Sequence, residues 1–193
     1  MGGMQVMRTA VAATVVLAVS LVAAGCGSDD GSSDAASAKT PAGFKRIKTA
    51  DFSLAVPTAW TSDTGKADGG GKFIEVRSPG ADINRPQVRV ASSRGYSSRL
   101  DNAVKLAEGE IPVRRPGAQR VVARDVQVAG AADALRLEWT VPAGGGLSPA
   151  RIVTVLALSK DRTLVNLSMG VAQDQIVAAR VDDVISSLDI GAR

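Results

Sequence analysis

The fold class is decided by residues 135–169, LRLEWTVPAGGGLSPARIVTVLALSKDRTLVNLSM. At the start of this stretch, Leu and Trp side chains alternate with Arg136, Glu138 and Thr140, the period-two pattern of a half-buried strand. Residues 151–159 are apolar on both faces, as expected of a central strand, and residues 163–169 alternate again. Because turn residues separate the three segments, they predict an antiparallel three-stranded meander.

A helix is predicted upstream of the meander. Ser98 and Asp101 have the spacing of a capping box, which favours a helix start at this point. Gly109 and Pro112 are expected to end the helix, since glycine is flexible and proline has no backbone N–H. Its apolar residues recur at helical spacing: Leu100, Val104 and Ala107.

A second helix is predicted near the C-terminus, where it is expected to lie across the sheet. Asp182 and Asp183 would occupy its solvent face. The opposite, apolar face would be formed by four residues at helical spacing, with Ile185 beside them: Val177, Val181, Val184 and Leu188.

Shorter strands complete the pattern. They are predicted at 44–49, 52–56, 72–78 and 87–93, with another between 120 and 128. The predicted order is four strands, a helix, about four strands and a final helix. This order indicates an α+β sandwich in which an antiparallel sheet of about six to eight strands is flanked by two main helices.

Residues 1–25 have the three parts of an export signal. Arg8 supplies a positive charge, residues 9–22 form an apolar run, and small residues at 23–25 are typical of a cleavage site. The apolar run is shorter than the roughly 20 residues that span a bilayer. We therefore predict that residues 1–25 direct export and are removed.

The end of this segment, LVAAGC at 21–26, resembles the lipobox of bacterial lipoproteins. The resemblance implies cleavage between Gly25 and Cys26 and acylation of Cys26 with palmitate-type chains. Such chains would anchor the protein at the extracytoplasmic face of the cell membrane. Cys26 is the only cysteine, so no disulfide can form within the chain. The alternatives are an ordinary secretory signal or a short uncleaved anchor.

The rest of the chain divides into a tether and a domain. Residues 27–40 contain no large apolar side chain, so burial cannot offset the entropy of ordering them. We predict that 26–40 is a lipidated, flexible tether. Residues 41–193 have the length of a single domain.

The charge of the chain is mildly basic, with 23 Lys and Arg against 19 Asp and Glu. The basic residues are dispersed, which is typical of an ordinary solvated surface. They would also suit an anionic envelope polymer or an envelope protein as partner. Nucleic acid is not expected as a partner, because the few aromatic residues are not interleaved with the basic ones.

Several chemistries are excluded by composition. The chain has no histidine, so neither a Ser-His-Asp nor a Cys-His arrangement can exist. Zinc or copper sites that need histidine are excluded for the same reason, and Cys26 is reserved for the lipid. We therefore predict no metal, no cofactor and no enzymatic activity.

The glycine-rich segment 65–73 superficially resembles a phosphate-binding loop. Lys66 stands where that loop needs its first glycine, and Phe73 stands where it needs Ser or Thr. A connection between two strands is therefore the favoured interpretation. The glycines at 144–146 have the same interpretation.

A hydrolase based on two carboxylates stays open from sequence alone. Such chemistry depends on the distance between the carboxylates in space, which chain spacing does not report. Solvated positions are favoured for Glu108 and Glu110. The four candidate residues are Glu75, Glu108, Glu110 and Glu138.

Trp60 and Trp139 are the remaining candidates for a site, in a chain with few aromatic residues. Core packing is favoured for both, since Trp60 follows a strand end and Trp139 lies on the apolar face of its strand. The functional alternative is a groove lined by these tryptophans that holds a hydrophobic ligand.

The strand, proline and tryptophan of residues 52–60, FSLAVPTAW, resemble the opening of small PsbP-like domains. Residues 128–137 and the C-terminal helix ending at Leu188 are similar to the later elements of those domains. Lipoproteins of the LpqN type from actinobacteria are also similar in length, tether and element order. The resemblance implies a PsbP-like sandwich and a non-catalytic accessory role, without specifying an activity.

Two functional hypotheses follow. The first is a membrane-anchored envelope lipoprotein that binds a partner protein or an envelope component without catalysis. The second is a carrier or sensor of a small apolar ligand. A carboxylate-based hydrolase is the third and weakest.

Overall fold

A computed structural model describes residues 38–66, 72–80, 85–144 and 148–191. The predicted export signal, Gly25, Cys26 and most of the predicted tether lie outside these residues, as do Gly145 and Gly146. The boundaries proposed at residues 25, 26 and 40 therefore stay predictions. Across the described ranges, no helix combines the length and the apolar character needed to cross a bilayer.

The described residues form ten strands and two α-helices. Five strands precede the first helix: β1 Phe44–Lys48, β2 Phe52–Pro57, β3 Thr61–Lys66, β4 Lys72–Arg77 and β5 Gln87–Ser93. Helix α1 Leu100–Arg114 is followed by four more strands: β6 Gln119–Asp125, β7 Ala131–Val141, β8 Ala150–Ser159 and β9 Leu164–Ala172. A 3₁₀ turn at Gln173–Gln175 leads to α2 Val181–Ser186 and β10 Asp189–Ile190.

The strands form two antiparallel sheets. The large sheet has the order β3-β4-β5-β9-β8-β7-β6, and the small sheet has the order β1-β2-β10. The predicted α+β sandwich is confirmed, and so is the meander, which corresponds to β7, β8 and β9. Two strands were not predicted. Strand β3 reads TSDTGK and has no apolar alternation, and β10 has only two residues.

Both faces of the large sheet carry a core. On one face, side chains of the large sheet share a cluster with Leu54 of β2 and with Val184 and Leu188 at α2. On the other face, Leu100, Ala103 and Ala107 of α1 cover Trp139, Leu156 and neighbouring side chains of β7 and β8. The apolar strand residues packed with α1 come from β7, β8 and the start of β9, at Leu164, and none of the described residues of β4 or β5 belongs to this cluster.

Strand β7 differs from the half-buried strand predicted for it. Arg136 and Glu138 are only 8% and 4% exposed, respectively, although a solvent-facing position was expected for both. They lie on the face that packs toward α2, where the Arg136 Nη2 is 2.8 Å from the Glu138 Oε1. The prediction was wrong because alternation cannot distinguish a solvent face from a buried face whose charges neutralise each other.

Helix α1 differs from its prediction at both ends. Its N-cap is Arg99 without a side-chain capping bond, so the expected capping box is absent. The carbonyl of Ser98 instead accepts a hydrogen bond of 2.6 Å from Arg162. The helix also continues past Gly109 and Pro112 to Arg114. Both residues lie on the exposed side of the helix near its end, where a missing backbone hydrogen bond costs little.

Helix α2 is shorter than predicted. Val177 is 89% exposed and does not belong to the apolar face assigned to it. Arg180 has a φ of 49° and a ψ of 49°, and this left-handed residue stands directly before the helix. A left-handed residue interrupts a right-handed helix, so the six-residue helix starts only at Val181.

Candidate binding groove

A groove with a volume of about 810 Å³ lies on the outer face of the large sheet, beside α1. Its floor is the part of the sheet that α1 leaves uncovered. Its wall is the C-terminal half of α1, represented by Ala107 and Ile111, and its rim includes Pro142 and Ser148. The volume is within the range of about 300–1,000 Å³ typical of small-molecule sites.

The floor is crossed by a row of polar side chains, which we call the polar row. It consists of residues paired in register on four adjacent strands: Glu75 on β4, Arg89 on β5, Ser168 on β9 and Thr154 on β8. The next residue in register is Leu137 on β7, which is fully buried under α1. The sheet therefore changes from polar to apolar where the helix begins to cover it.

Small residues give the groove its depth. Gly170 on β9 and Ala91 on β5 line the floor on either side of the polar row. A Cβ atom built on Gly170 meets nothing within 4 Å, so the space above this glycine is open. The groove thus forms where α1 does not cover the sheet and where β5 and β9 carry small residues.

Arg89 is the most prominent charge in the polar row. Its guanidinium lies over the ring of Phe73, 4.2 Å from the centroid, and that ring in turn lies against Gly65 on β3. The cross-strand neighbour Glu75 is engaged elsewhere, since the Arg77 Nη2 is 2.6 Å from its Oε1. Among the described residues, no carboxylate forms an ion pair with Arg89. The arginine therefore presents a charge to the groove that no carboxylate of the described residues neutralises.

Thr154, in the same polar row, has a hydroxyl oxygen that forms no hydrogen bond within the described part of the chain. The residue is 2% exposed. A buried polar group left without a partner costs about 1–3 kcal/mol. Thr154 lies next to Ser168 in the polar row, and its Oγ1 is buried beneath the floor of the groove.

The wall of the groove is positioned by the β8–β9 turn. Arg162 in this turn has a φ of 66°, and its Nε and Nη2 donate to the carbonyls of Tyr96 and Ser98 at 2.8 and 2.6 Å. These contacts hold the segment that leads into α1. In the same turn, a hydrogen bond from the Ser159 hydroxyl lowers the pKa of the Asp161 carboxyl.

The two tryptophans do not share a groove. Trp60 is 5% exposed and belongs to the core between the sheets, whereas Trp139 is 1% exposed and belongs to the core under α1. Neither of them lines the groove described above. Their side chains pack in the interior on opposite faces of the large sheet.

The four candidate glutamates are all paired with arginine. Two of them line the groove: Glu75 with Arg77, and Glu110, whose Oε1 is 2.5 Å from the Arg114 Nη2. Glu108 contacts Arg120 outside the groove. Glu138 lies on the opposite face of the sheet between two arginines, Arg136 and Arg151. Within the described ranges, no three acidic or cysteine side chains come together as a metal site would require.

Sequence reasoning missed the polar row, although one signal was present. On β9 the apolar Val165, Leu167 and Met169 alternate with Asn166, Ser168 and Gly170. The outward positions are small and uncharged, which is unusual for a solvated face and is compatible with a floor. Arg89 gave no such signal, because an arginine on an exposed strand face is common.

Comparison with known proteins finds solved structures with a similar fold. No family model matches the sequence, and no curated protein matches it. The solution structure of cyanobacterial PsbP (CyanoP) from Synechocystis sp. PCC 6803 matches with a TM-score of 0.55 and 15% identity, over 78% of this chain and 94% of that one. The chain has a PsbP-like fold.

A second PsbP-like neighbour is LpqN of Mycobacterium tuberculosis, described as involved in cell envelope biogenesis. It matches with a TM-score of 0.50 and 17% identity, over 76% of this chain and 90% of LpqN. At such identities the likeness is one of fold, which confirms the PsbP-like and LpqN-like architecture predicted from the sequence. The predicted lipid anchor stays a prediction.

Proposed function

We propose that this protein is a non-catalytic binding module of the cell envelope, held at the extracytoplasmic face of the membrane by a lipid on Cys26. The observation that carries the proposal is the groove beside α1, with its open floor and with Arg89, which pairs with no carboxylate in the described part of the chain. The fold of this protein is similar to that of LpqN, which is described as involved in cell envelope biogenesis. This similarity supports an accessory role.

A groove for a ligand with polar groups is preferred to a carrier site for a purely apolar ligand, for a physical reason. Its wall is apolar at Ala107 and Ile111, but its floor carries the polar row. A ligand without polar groups would cover the exposed Arg89 without bonding to it, and that desolvation is costly. A hydrolase would have to use Glu75 and Glu110, the two glutamates in the groove, and each is engaged with an arginine.

The anchor is tested with Cys26→Ser in the native host. We expect the variant to lose acyl labelling and to leave the membrane fraction, because no lipid can form on serine by the same thioether chemistry. Cells that make the unchanged chain serve as control. Persistent membrane association of Cys26→Ser would contradict the lipoprotein assignment, whatever the domain binds.

The groove is tested with Gly170→Leu, whose side chain would enter the open space above β9. We expect it to abolish capture of ligand or partner, scored by native mass spectrometry and by in-cell crosslinking. Ala123→Leu adds similar bulk on the exposed strand β6, outside the groove, and should change nothing. Equal capture by Gly170→Leu and the unchanged protein would contradict the groove as the binding site.

Turnover would decide against a binding module. If the purified protein cleaves an envelope glycan, and Glu75→Gln or Glu110→Gln abolishes that cleavage, then the protein is a hydrolase, because both glutamates line the groove. Glu138→Gln is not diagnostic, since Glu138 is buried on the opposite face of the sheet.

A further inference from the structure

We propose that the ligand of the groove is a small organic anion, with a carboxylate or phosphate group bound by Arg89 and an apolar body that lies along α1. This inference rests on the proposed binding function and specifies its chemistry. It depends on the charges that remain unpaired in the groove, on the donors beside them and on the position of the apolar surface.

The charge of the floor is positive once internal pairs are removed. Glu75 is bonded by Arg77 through both the Nε and the Nη2, at 2.8 and 2.6 Å, so its charge is cancelled. Glu110 is paired with Arg114 through a single contact, 2.5 Å between its Oε1 and the Arg114 Nη2. Arg89 has no such partner among the described residues. An anion is therefore the ligand whose charge this floor complements.

The stacking of Arg89 prepares it for an anion. The guanidinium carbon lies 4.2 Å from the centroid of the Phe73 ring, and a guanidinium held against one aromatic face still has N–H groups that can bond an oxyanion. The Phe73 ring in turn lies directly against Gly65, which has no side chain to separate them. Less side-chain entropy is then lost when the anion binds.

Hydroxyl groups lie beside the arginine in register. Ser168 is the direct cross-strand partner of Arg89, and Thr154 is the direct partner of Ser168. The Arg89 guanidinium itself lies over Phe73 on β4, whereas Ser168 lies on β9, on the other side of β5. The hydroxyl of Ser168 therefore lines the floor between the arginine and the apolar side of the groove.

The apolar side of the groove accounts for the rest of the ligand. Ala107 and Ile111 on α1 lie beside Ile152 on the sheet side of the same groove. These side chains lie beyond the polar row, toward α1. A molecule with one anionic end and one apolar body matches both parts, whereas inorganic phosphate matches only the first.

Isothermal titration calorimetry on the full chain carrying Cys26→Ser tests the proposal, because no attached acyl chain then competes. The probes are decanoate, decyl phosphate, uncharged decyl maltoside and inorganic phosphate, each below its micelle concentration. We expect at least one decyl anion to bind about tenfold or more tightly than decyl maltoside, and inorganic phosphate to bind most weakly. Decanoate against decyl phosphate identifies the anionic group.

Variants locate the binding. Arg89→Gln should weaken the preferred decyl anion about tenfold and leave decyl maltoside unchanged, whereas Arg124→Gln, the same charge change on exposed β6, should alter neither. Circular dichroism checks that each variant is folded. Equal affinity for decyl maltoside and the anions, unchanged affinity in Arg89→Gln, or no binding of any decyl probe overturns the anionic ligand. The capture experiment with Gly170→Leu tests the groove itself separately.

Discussion

At the scale of single residues, Gly130 shows how closely two parts of the chain approach. Its φ is 74°, and a Cβ atom there would collide with the carbonyl oxygen of Ile190. Ile190 N also donates to the carbonyl of Ala129 at 2.9 Å, so the contact joins the start of β7 to the end of the described chain. Only glycine satisfies both the backbone angle and the packing.

We therefore expect Gly130→Ala to lower the free energy of unfolding by about 3 kcal/mol, from a left-handed backbone cost and an overpacking cost. Gly95→Ala is the matched control, since Gly95 has a φ of 65° but open space around it. The control should lose only about 1 kcal/mol. Urea unfolding measures both, and equal losses would show that the Ile190 contact is unimportant.

Glu138 is a buried carboxylate that is paired with two arginines. Its side chain is 5% exposed, and its two oxygens lie 2.8 Å from the Arg136 Nη2 and 3.4 Å from the Arg151 Nη1. The Arg136 Nη1 continues to Asp182 on α2 at 2.6 Å, which links β7 to the helix. The Nε atoms of both arginines are buried without a partner in the described chain.

Removal of the Glu138 charge leaves Arg151 without its carboxylate and leaves Arg136 with only the exposed Asp182. Glu138→Gln should therefore lower the free energy of unfolding by about 3 kcal/mol. Glu110→Gln, which breaks an exposed pair with Arg114, should change it by less than about 1 kcal/mol. Chemical denaturation of the two variants makes the comparison. Similar effects would mean that the Glu138 cluster is weakly coupled to folding.

At the scale of elements, α1 is the helix that makes the groove wall, and Pro112 lies inside its last turn. Proline has no N–H to donate to the preceding turn, yet the helix reaches Arg114 because its buried face, at Leu100, Ala103 and Ala107, anchors it upstream. Tertiary packing outweighs local propensity here. This is why the helix end expected from Gly109 and Pro112 was wrong.

Pro112→Ala should consequently stabilise the protein, by about 1 kcal/mol after the greater flexibility of the unfolded chain is included. Pro116→Ala, just beyond the helix, makes the unfolded chain more flexible without adding a helical hydrogen bond. It should therefore be neutral or slightly destabilising. Thermal unfolding followed by circular dichroism separates them. A loss of stability in Pro112→Ala would show that proline is needed to end the helix.

The elements that sequence predicted well are those whose pattern is local. Strand β8 is apolar on both faces and was placed correctly as a central strand between β7 and β9. Strand β3 was missed because its partner β4 organises it through backbone pairing, while its own residues are polar. The late start of α2 at Arg180 was also not predictable, because an arginine with a left-handed backbone leaves no periodic signal in the sequence.

At the scale of the whole molecule, the large sheet separates two cores and makes each depend on the other. The chain has two tryptophans, and the structure places Trp60 in one core and Trp139 in the other. Since both cores pack on the same strands, loss of either one exposes a full face of the sheet. We expect the described domain to unfold in a single cooperative step.

Trp139→Phe leaves Trp60 as the reporter of the first core, and Trp60→Phe leaves Trp139 as the reporter of the second. Within each variant, the fluorescence midpoint in urea should coincide with the far-ultraviolet circular dichroism midpoint. The two variants control for each other, because each removes one ring by the same substitution. A fluorescence transition that precedes the loss of secondary structure in either variant would indicate that one core unfolds alone.

The amino-acid sequence by itself determined the α+β class, the antiparallel meander and the absence of histidine and disulfide chemistry, because alternation and composition are local properties. Only the tertiary structure decided that Arg136 and Glu138 are buried and that Val177 is exposed. It alone assembled Glu75, Arg89, Thr154 and Ser168 into one row. Their strands are distant in the chain, and which face α1 covers depends on long-range packing that periodicity does not encode.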